Sequence, residues 1–504
     1  MKKYFLFAFL LIGAFACTDL EEELREDLTA SQALSDVQVD ALLNSAYDGL
    51  RLPYQDQAQF WAAQEHTSDE AIGPTRGPDW DDNGVWRVLH NHEWNADHAF
   101  LGDTFSALLQ VVYGTTDILN FNPTSEQEAE ARFLRAFVMS SVVDGWGQVP
   151  FREAGTSLLD DAPVLSAQET VDFIVSECDA ILANLPDGPA NTANKDAARV
   201  LLMKILLNKG AYLSRATPSF DAADMNRVIS LADDIINSGQ YSLADNYFDN
   251  FAPNNTDLST ENIWVISNET GVPQGGSGNS VRSRWFCSMH YNQNPSGWNG
   301  FTTLGDFYMS FEDSDVRKKA DYAGVTEATG VNAGFLFGQQ FDADGNPLMD
   351  RKGNDLSFTK EVALKESGDN LEITGIRVVK YPPDINGGDN VGNDLVLYRY
   401  ADVLLMKAEA ELRNGNAGTA LSIVNDIRSS RGASTLGSID LDELLAERGR
   451  ELYWEGHRRT DLIRFGRFLD AWEEKPASGE ERLLFPIPTG SLASNPNLTQ
   501  NPGY

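Results

Sequence analysis

The sequence predicts a mainly α-helical protein in which the helices pack as pairs. The string VLLMK occurs twice, at 200–204 and 403–407, and each copy lies where apolar residues recur every three or four positions, which is the helical period. A second helical stretch follows each copy, at 225–239 and at 416–432. One pair cannot bury its apolar faces alone, so we expect several pairs to stack in one unit.

Two further pairs precede these along the chain. The same apolar spacing predicts that the helix at 35–50 pairs with the helix at 95–119, and that the helix at 126–146 pairs with the helix at 169–185. Four tetratricopeptide-like pairs result, although the consensus residues of that repeat are missing. This helical scaffold is predicted over about 35–240 and 395–475.

Two aromatic-rich insertions interrupt the scaffold, at 52–93 and 241–394. The first contains Trp61, Trp80 and Trp86 among Gly, Pro and Asp, and the second contains more Trp with many Tyr, Phe, Asn and Gly. Loops longer than roughly 15 residues in a compact protein are usually functional, so we expect the binding site in these insertions. β-Branched and alternating runs at 261–268 and 373–381 predict short strands there.

The first residues of the chain predict export. Lys2 and Lys3 precede an apolar run that ends at residue 16 and is too short for a membrane span of roughly 20 helical residues, so 1–16 is interpreted as a signal peptide. Cys17 follows in the string AFAC, which fits lipid attachment, whereas residues 14–16 also fit ordinary secretory cleavage. We favour a covalent lipid on Cys17, with 17–34 as a tether to a domain at 35–504, and expect no other cofactor.

The chain is strongly acidic, with 39 Lys and Arg against 75 Asp and Glu and a formal net charge of −36. Such a surface repels polyphosphate, which argues against nucleic acid as a partner. Anionic substrates would meet the same unfavourable field. The charge therefore favours a neutral ligand or a protein partner.

Several other motifs predict structure rather than chemistry. The string HNHEWNADH matches no zinc motif and is interpreted as a structural cluster, and DADGN is interpreted as a turn because the Gly and Glu of a calcium loop are misplaced. Charges that alternate in sign over 448–464 predict an ion-pair lattice around Trp454. Cys178 and Cys287 are expected to be unrelated buried thiols, although an oxidising compartment would permit a bridge between them.

Four stretches of the chain resemble, in order, the hallmarks of the SusD/RagB family of outer-membrane lipoproteins. They are EARFLRAFVMSSVVDGWGQVPF, LYRYADVLLMKAEAELRNG, LLAERGRELYWEGHRRTDLIRFGRF and the ending FPIPTGSLASNPNLTQNPGY. The resemblance implies a single SusD-like domain of four tetratricopeptide-like pairs, anchored by lipid on the outer face of the outer membrane. It also implies a SusC-like TonB-dependent transporter as partner and capture of oligosaccharides for import without catalysis.

The candidate site consists of aromatic and polar residues in two loops. Sugar rings present apolar faces and hydroxyl groups, so a neutral-glycan site needs exposed aromatic rings beside polar side chains. The candidate glycan-binding residues are Arg76, Trp80, Asp81, Asp82 and Asn83 in the first insertion, and Trp285, Tyr291, Asn292 and Trp298 in the second. We expect at least two of the four rings to line the site, although any single ring could instead fix its loop to the scaffold.

The sequence thus favours a cell-surface lipoprotein that captures neutral oligo- or polysaccharide and delivers it to a transporter. A non-catalytic lid of a peptide importer is an alternative. A glycoside hydrolase is less favoured, because no catalytic carboxylate pair can be singled out among 75 acids. No catalytic or metal-binding residue is predicted.

Overall fold

The computed structural model describes residues 36–77, 81–273 and 280–504. Helices dominate it. In chain order they are α1 (Asp36–Gly49), α2 (Arg51–Gln55), α3 (Phe60–Glu65), α4 (Val85–His90), α5 (Ala99–Ile118), α6 (Ser125–Trp146), α7 (Ala167–Ile181), α8 (Lys195–Leu213), α9 (Ala222–Ser238), α10 (Asn255–Leu258), α11 (Ser283–Phe286), α12 (Gly305–Met309), α13 (Thr326–Thr329), α14 (Tyr400–Arg413), α15 (Ala417–Ser430), α16 (Leu441–Leu452), α17 (Arg458–Arg464) and α18 (Thr489–Ser494). Short 3₁₀ turns lie at Asp82–Gly84, Leu119–Phe121, Tyr247–Asn250 and Glu480–Leu483.

The four predicted helix pairs are confirmed. Helix α1 packs on α5, α6 on α7, α8 on α9, and α14 on α15. Consecutive pairs also contact each other through α5 and α6, α7 and α8, and α9 and α14. The last contact joins two helices that are separated in the chain by 239–399, so the scaffold is continuous across the long insertion.

Local sequence fixes where these helices begin. Thr124 and Ser166 each form a capping box. The hydroxyl accepts from the backbone N–H three residues later, and the side chain of that residue, Gln127 or Glu169, accepts from the backbone N–H of the capping residue. Asn194 caps α8 through its side-chain oxygen. Such caps stabilise a helix by about 1 kcal/mol each because they satisfy backbone donors that have no partner inside the helix.

The strands are short and belong mainly to the insertions. They are β1 (Thr75–Arg76), β2 (Gln148–Pro150), β3 (Val164–Ser166), β4 (Asn262–Ile266), β5 (Lys319–Ala320), β6 (Ala333–Leu336), β7 (Gly338–Gln339), β8 (Ser357–Phe358), β9 (Lys365–Glu366), β10 (Arg377–Val379) and β11 (Leu395–Arg399). The two predicted strands are confirmed as β4 and β10. Strand β4 pairs antiparallel with β11, and β10, β6 and β5 form a three-stranded sheet. Strand β1 pairs in parallel with β9, which joins the first insertion to the second.

One apolar core joins the insertions to the scaffold. Trp264 of β4 packs edge-on against Phe133 and Phe137 of α6, with ring centroids 4.8 and 4.6 Å apart. The tryptophans buried in this core include Trp61, Trp86, Trp94, Trp146, Trp264, Trp285 and Trp454. Each fully buried aromatic side chain contributes about 1.5–3 kcal/mol to the stability of the fold relative to an exposed one. The insertions are therefore held against the scaffold by core packing.

The predicted ion-pair lattice is confirmed, and it is buried. Glu451 of α16 accepts from Arg317, Arg399 and Arg431 at 2.9, 2.7 and 3.0 Å. Burial raises the pKa of Glu451, but the three guanidinium groups outweigh burial and hold the pKa well below its usual range. The lattice therefore extends beyond 448–464 to arginines of the insertion and of the fourth helix pair.

Cys178 and Cys287 are buried and form no disulfide within the part of the chain that the structure describes, as the sequence favoured. Burial raises the pKa of both thiols. None of the helices in the described ranges has the length and apolar character to cross a bilayer. The predicted signal peptide at 1–16 and the predicted lipid attachment site Cys17 lie outside the described residues.

Candidate functional site

The two aromatic-rich insertions meet along their backbones. Ile72 and Thr302 form a β-bridge, donating to each other's carbonyls at 2.9 and 3.0 Å. Three residues later β1 pairs with β9. The first and second insertions are therefore joined through their backbones.

Arg76 stands at this junction, but it is buried. Its guanidinium donates to the carbonyls of Leu371 and Thr374 at 2.8 Å each, and to the hydroxyl of Thr374 at 2.6 Å. The expectation that Arg76 faces a ligand is wrong. Its charge instead satisfies loop carbonyls that would otherwise lack donors, and so it ties the two insertions together.

Trp285 is also inside the protein. The short helix α11 turns it inward, and only 1% of its surface is exposed. Its neighbour Arg284 is buried as well and donates to the carbonyl of Tyr54 at 2.7 Å. The prediction of an exposed Trp285 ring is therefore wrong, because the ring fixes its loop to the core.

The first loop presents polar groups at its tip. Trp80 lies outside the described residues, while Asp82 and Asn83 are exposed and have positive φ values of 46° and 54°. Asp and Asn tolerate this left-handed conformation better than most residues. Asp82 accepts from the indole N–H of Trp86 at 2.8 Å, so the buried Trp86 holds the tip in place.

Asp81 has a positioning role in the same loop. It accepts from the hydroxyl of Thr75 at 2.7 Å and pairs with Arg87 at 2.9 Å. These two hydrogen bonds lower the pKa of the Asp81 carboxyl, the Thr75 bond most. The charge of Asp81 is thus already matched by Arg87.

Tyr291 is half-buried and lies beneath a cation. The guanidinium of Arg351 stands 4.2 Å from the centre of the Tyr291 ring, a cation–π contact. Arg351 also pairs with Glu372 at 2.7 Å, and Glu372 accepts from the imidazole of His290 at 2.9 Å. Tyr291 is therefore presented by a network rather than by a free loop.

The charge state of this network follows from its geometry. The backbone N–H of Asn292 donates to Nδ1 of His290 at 3.0 Å, so Nε2 carries the proton given to Glu372. Burial lowers the pKa of His290 to about 4. Burial raises the pKa of Glu372, but hydrogen bonds from Arg351 and His290 outweigh it, and the net shift is downward. At neutral pH the network is a neutral imidazole with an Arg–Glu pair.

Asn292 and Trp298 complete the region. Asn292 is exposed and donates its side-chain amide to the carbonyl of Met349 at 2.9 Å. Trp298 is half-buried and meets Phe286 edge-on, with ring centroids 5.0 Å apart. Arg282 lies 3.8 Å above the Phe286 ring and pairs with Asp389. The structure therefore places Tyr291, Asn292 and Trp298 at the surface of one loop.

Sequence reasoning missed the residues that support this loop. Arg351, Glu372 and Asp389 lie 50 or more positions from the aromatic motif, in stretches rich in Gly, Asp and Asn. No spacing rule links such residues to Tyr291 or Trp298. Only the side-chain contacts described above reveal them.

The remaining motifs have structural roles, as predicted. His90 and His92 are buried and bond to backbone carbonyls, among them those of Ala71 and Thr67. Asp342 of the DADGN string accepts from the backbone N–H groups of its own turn, including that of Asn346. Across the described residues no three His, Cys, Asp or Glu side chains form a group that could hold a metal ion.

Comparison with known proteins shows similarity to one family. The sequence pattern described as the SusD family matches residues 231–480. The starch-binding protein SusD of Bacteroides thetaiotaomicron is 27% identical over 440 residues, which cover 79% of this chain and 76% of that protein.

Two solved structures share the fold. One is surface glycan-binding protein A from Bacteroides uniformis, with a TM-score of 0.70 at 20% identity, covering 93% of this chain and 99% of that one. The other is surface glycan-binding protein A from Bacteroides thetaiotaomicron in complex with laminarihexaose, with a TM-score of 0.67 at 18% identity, covering 92% and 99%. Along most of its length the chain is similar to proteins of the SusD family.

Proposed function

We propose that this protein is a cell-surface lipoprotein that captures a neutral oligo- or polysaccharide and passes it to a SusC-like TonB-dependent transporter. The observation that supports the proposal is the backbone pairing of the two insertions, which leave polar and aromatic side chains exposed or half-buried: Asp82 and Asn83 in the first, and Tyr291, Asn292 and Trp298 in the second. The family is one of non-catalytic glycan-binding proteins, so the hydrolase alternative is set aside.

The arrangement suits a sugar chain for physical reasons. Aromatic rings of partial exposure can stack on the apolar faces of pyranose rings, and exposed Asp and Asn side chains can bond to the hydroxyls. Tyr291 and Trp298 are held by their contacts with Arg351 and Phe286. Little conformational freedom is then lost on binding, which favours affinity.

The preference for a neutral glycan rests on charge. The chain carries a formal net charge of −36, and Arg87, Arg282 and Arg351 near the surface each pair with a carboxylate. An anionic polysaccharide would meet long-range repulsion from the net charge, and the charges of these three arginines are already matched.

A second surface supports a protein partner. Between β2 and β3 the chain exposes Leu158 and Leu159 at 66% and 97%, and Tyr113 of α5 is 53% exposed. Two surface grooves of about 370 and 540 Å³ adjoin this loop. Exposed apolar side chains beside grooves are typical of protein interfaces, and this scaffold surface is distinct from the glycan surface.

Native gel electrophoresis through immobilised polysaccharides tests the proposal. The full chain should be retarded by at least one neutral polysaccharide among α- and β-glucans, mannans and fructans, and should migrate freely through alginate and chondroitin sulfate. Retardation by the anionic gels alone would contradict the neutral preference. Free migration in every gel, together with binding of a mixed peptide digest, would favour the peptide-importer alternative.

A further inference from the structure

Two buried carboxyl groups of the first insertion bond to one turn near the end of the chain, between α16 and α17. Glu65, the last residue of α3, accepts from the backbone N–H of Gly456 at 2.5 Å, and Glu70 accepts from that of Trp454 at 3.2 Å. Neither glutamate is more than 1% exposed. Because the two donors lie two residues apart in the α16–α17 turn (453–457), the turn brings the two carboxyl groups together inside the protein.

The α16–α17 turn has an unusual backbone. Trp454 has a φ of +60° and Gly456 a φ of +81°, in the left-handed region that glycine adopts readily and a bulky residue seldom does. The carbonyl of Trp454 also accepts from the indole N–H of Trp61 at 3.2 Å. Such a backbone persists only where the surrounding contacts hold it, and the two glutamates supply two of those contacts.

The two carboxyl groups are also bonded to each other. The side chains of Glu65 and Glu70 form a hydrogen bond, and in the part of the chain that the structure describes no N–H group donates to Oε2 of Glu65. An ionised carboxylate can only accept hydrogen bonds. A hydrogen bond between the two groups therefore requires a proton on one of them, as in other carboxyl pairs that share a site.

Arg458 does not neutralise this pair. Its Nε lies 3.7 Å from Glu70, whereas its guanidinium makes two shorter bonds to Asp69, at 2.7 and 2.8 Å. A bidentate pair of this kind is the stronger interaction. Asp69 therefore takes up most of the charge of Arg458.

Arg284 is the second guanidinium near the pair. It interacts electrostatically with Glu65 but also with Asp56, and it donates to the backbone carbonyl of Tyr54 at 2.7 Å. Together with Glu70 and Asp69, four carboxyl groups thus face two guanidinium groups. A proton on the pair reduces this excess of buried negative charge, which would otherwise be costly.

The neighbouring ionisable groups do not supply another cation. The charged groups of adjoining segments are matched in ion pairs of their own: Lys380 with Glu455, Arg459 with Asp144, and Asp461 with Arg448. His66 follows Glu65 in the chain, and His90 lies near it. Burial lowers the pKa of His66 to about 3 and of His90 to about 4, so both are neutral at pH 7.

We propose that Glu65 and Glu70 share one proton at neutral pH, and that this proton is needed to hold the first insertion firmly on the α16–α17 turn. Burial raises the pKa of Glu65 to about 7, and burial and the charge of Glu65 hold the pKa of Glu70 well above its usual range. Without the proton, two buried carboxylates would repel each other at the place where they grip the turn. The contact does not depend on what the protein binds, so this proposal and the proposed function can fail separately.

The proposal makes stability fall as the pH rises. An unfolded glutamate loses its proton near pH 4.3, whereas the folded pair keeps one at pH 7. The folded chain then binds one proton more, so the equilibrium constant for unfolding rises by up to about tenfold per pH unit. Between pH 7 and 9 the histidines of the unfolded chain no longer bind protons. Burial lowers the pKa of Lys380 and Lys475 to about 8, so the effect is measured as a difference between variants.

The variant Glu70→Gln replaces the shared proton by an amide N–H, while the amide oxygen can still accept from Trp454. Glu409→Gln is the matched control, because Glu409 is equally buried but pairs with Arg464 and Arg413. Urea unfolding at pH 7 and pH 9 is the measurement. From pH 7 to 9, wild type and E409Q should each lose stability by roughly fivefold or more in equilibrium constant relative to E70Q. Equal changes in wild type and E70Q would overturn the proposal.

A second measurement decides the matter if E70Q does not fold. Wild-type protein labelled with ¹³C at the glutamate carboxyl carbons can be titrated by NMR. One glutamate carboxyl should still be protonated at pH 7.5 and should ionise only at higher pH. Spectra in which every glutamate of the folded protein is ionised at pH 7.5 would overturn the proposal, whatever the variants do.

Discussion

At the scale of single residues, the position of Tyr291 depends on side chains far from it in the sequence. Tyr291 keeps its orientation because Arg351 lies on one face of the ring, and Arg351 in turn is held by Glu372. Glu372 is oriented by the buried, neutral His290. The Tyr291 ring is therefore held in one orientation, which the proposed stacking on a pyranose ring would use.

We predict that Tyr291→Ala and Trp298→Ala each weaken polysaccharide binding by about 1–3 kcal/mol, the magnitude known for bases that stack on aromatic residues. Affinity electrophoresis on a concentration series of the bound polysaccharide measures the loss. Tyr113→Ala is the control, because it removes an exposed ring from α5 instead. Equal affinity in both loop variants, with Tm unchanged, would remove this loop from the site.

The residue scale is also where the sequence was least informative. A tryptophan in a loop rich in Gly, Asn and Pro has the same sequence pattern whether its ring faces solvent or the core. Trp285 and Trp298 stand in one such motif, yet the first is buried and the second is half-buried. Arg76 was misjudged for the same reason, since only the structure shows the carbonyls that it satisfies.

At the scale of elements, helix periodicity carried enough information to predict the scaffold. Apolar residues at three- and four-residue intervals predicted α14 and its partner α15, because a helix that buries one face must place apolar side chains there. Strand β4 was equally predictable from its β-branched run, all of which is buried. The pairing of β1 with β9 was not predictable, because two-residue strands have no pattern of their own.

Helix α16 is joined to neighbouring segments by buried ion pairs of Glu451. We predict that Glu451→Gln destabilises the protein by about 3–5 kcal/mol, because it leaves Arg317, Arg399 and Arg431 facing one neutral amide. Glu443→Gln on the same helix should cost under about 1 kcal/mol, since Glu443 is at the rim and pairs only with Arg450. Urea unfolding of both variants measures the difference, and similar losses would contradict a special role for Glu451.

The exposed loop between β2 and β3 is where we expect the proposed protein partner to bind. If the proposed transporter binds at this loop, Leu159→Asp should weaken their complex by about 2 kcal/mol, because a carboxylate would be buried in an apolar contact. Co-purification from detergent-solubilised outer membranes is the measurement. Leu258→Asp, at another exposed leucine, should leave the complex intact, and loss of the complex in both variants would argue against a specific contact at this loop.

At the scale of the whole molecule, every histidine is buried or packed in a way that lowers its pKa. Burial lowers the pKa of His66 to about 3, of His90 and His457 to about 4, and of His92 to about 2. The unfolded chain binds protons near pH 6.5, so below that pH it binds more protons than the folded chain does. Stability is then lost as the pH falls from about 6.5 toward 4.

Buried carboxyl groups whose pKa is raised act in the opposite direction. Burial raises the pKa of Glu65 to about 7, so its folded form is stabilised as the pH falls from 7 toward 4.5. Burial also raises the pKa of Glu70, but five histidines have pKa values of about 4 or below. We therefore predict a free energy of unfolding lower by roughly 2–4 kcal/mol at pH 5 than at pH 7. Urea titrations followed by tryptophan fluorescence at the two pH values provide the comparison, and greater stability at pH 5 would contradict the prediction.

Attachment to the membrane is a separate prediction at this scale. If Cys17 carries the lipid, Cys17→Ala should move the protein from the membrane fraction to the soluble fraction, because no helix in the described ranges could span a bilayer in its place. Cys178→Ala is the matched control, since that thiol is buried in the domain. Cell fractionation measures the change, and a C17A protein that stays with the membrane would rule out the lipid as its anchor.

The central claim is that glycan binds where the two insertions meet. Hydrogen exchange of the full chain, with and without the neutral polysaccharide that retards it, maps binding directly onto the backbone. The account predicts that the added protection falls on peptides covering 81–86, 288–299 and 349–352, while the scaffold helices exchange as before. Protection confined to scaffold peptides, with none in these three segments, would contradict it.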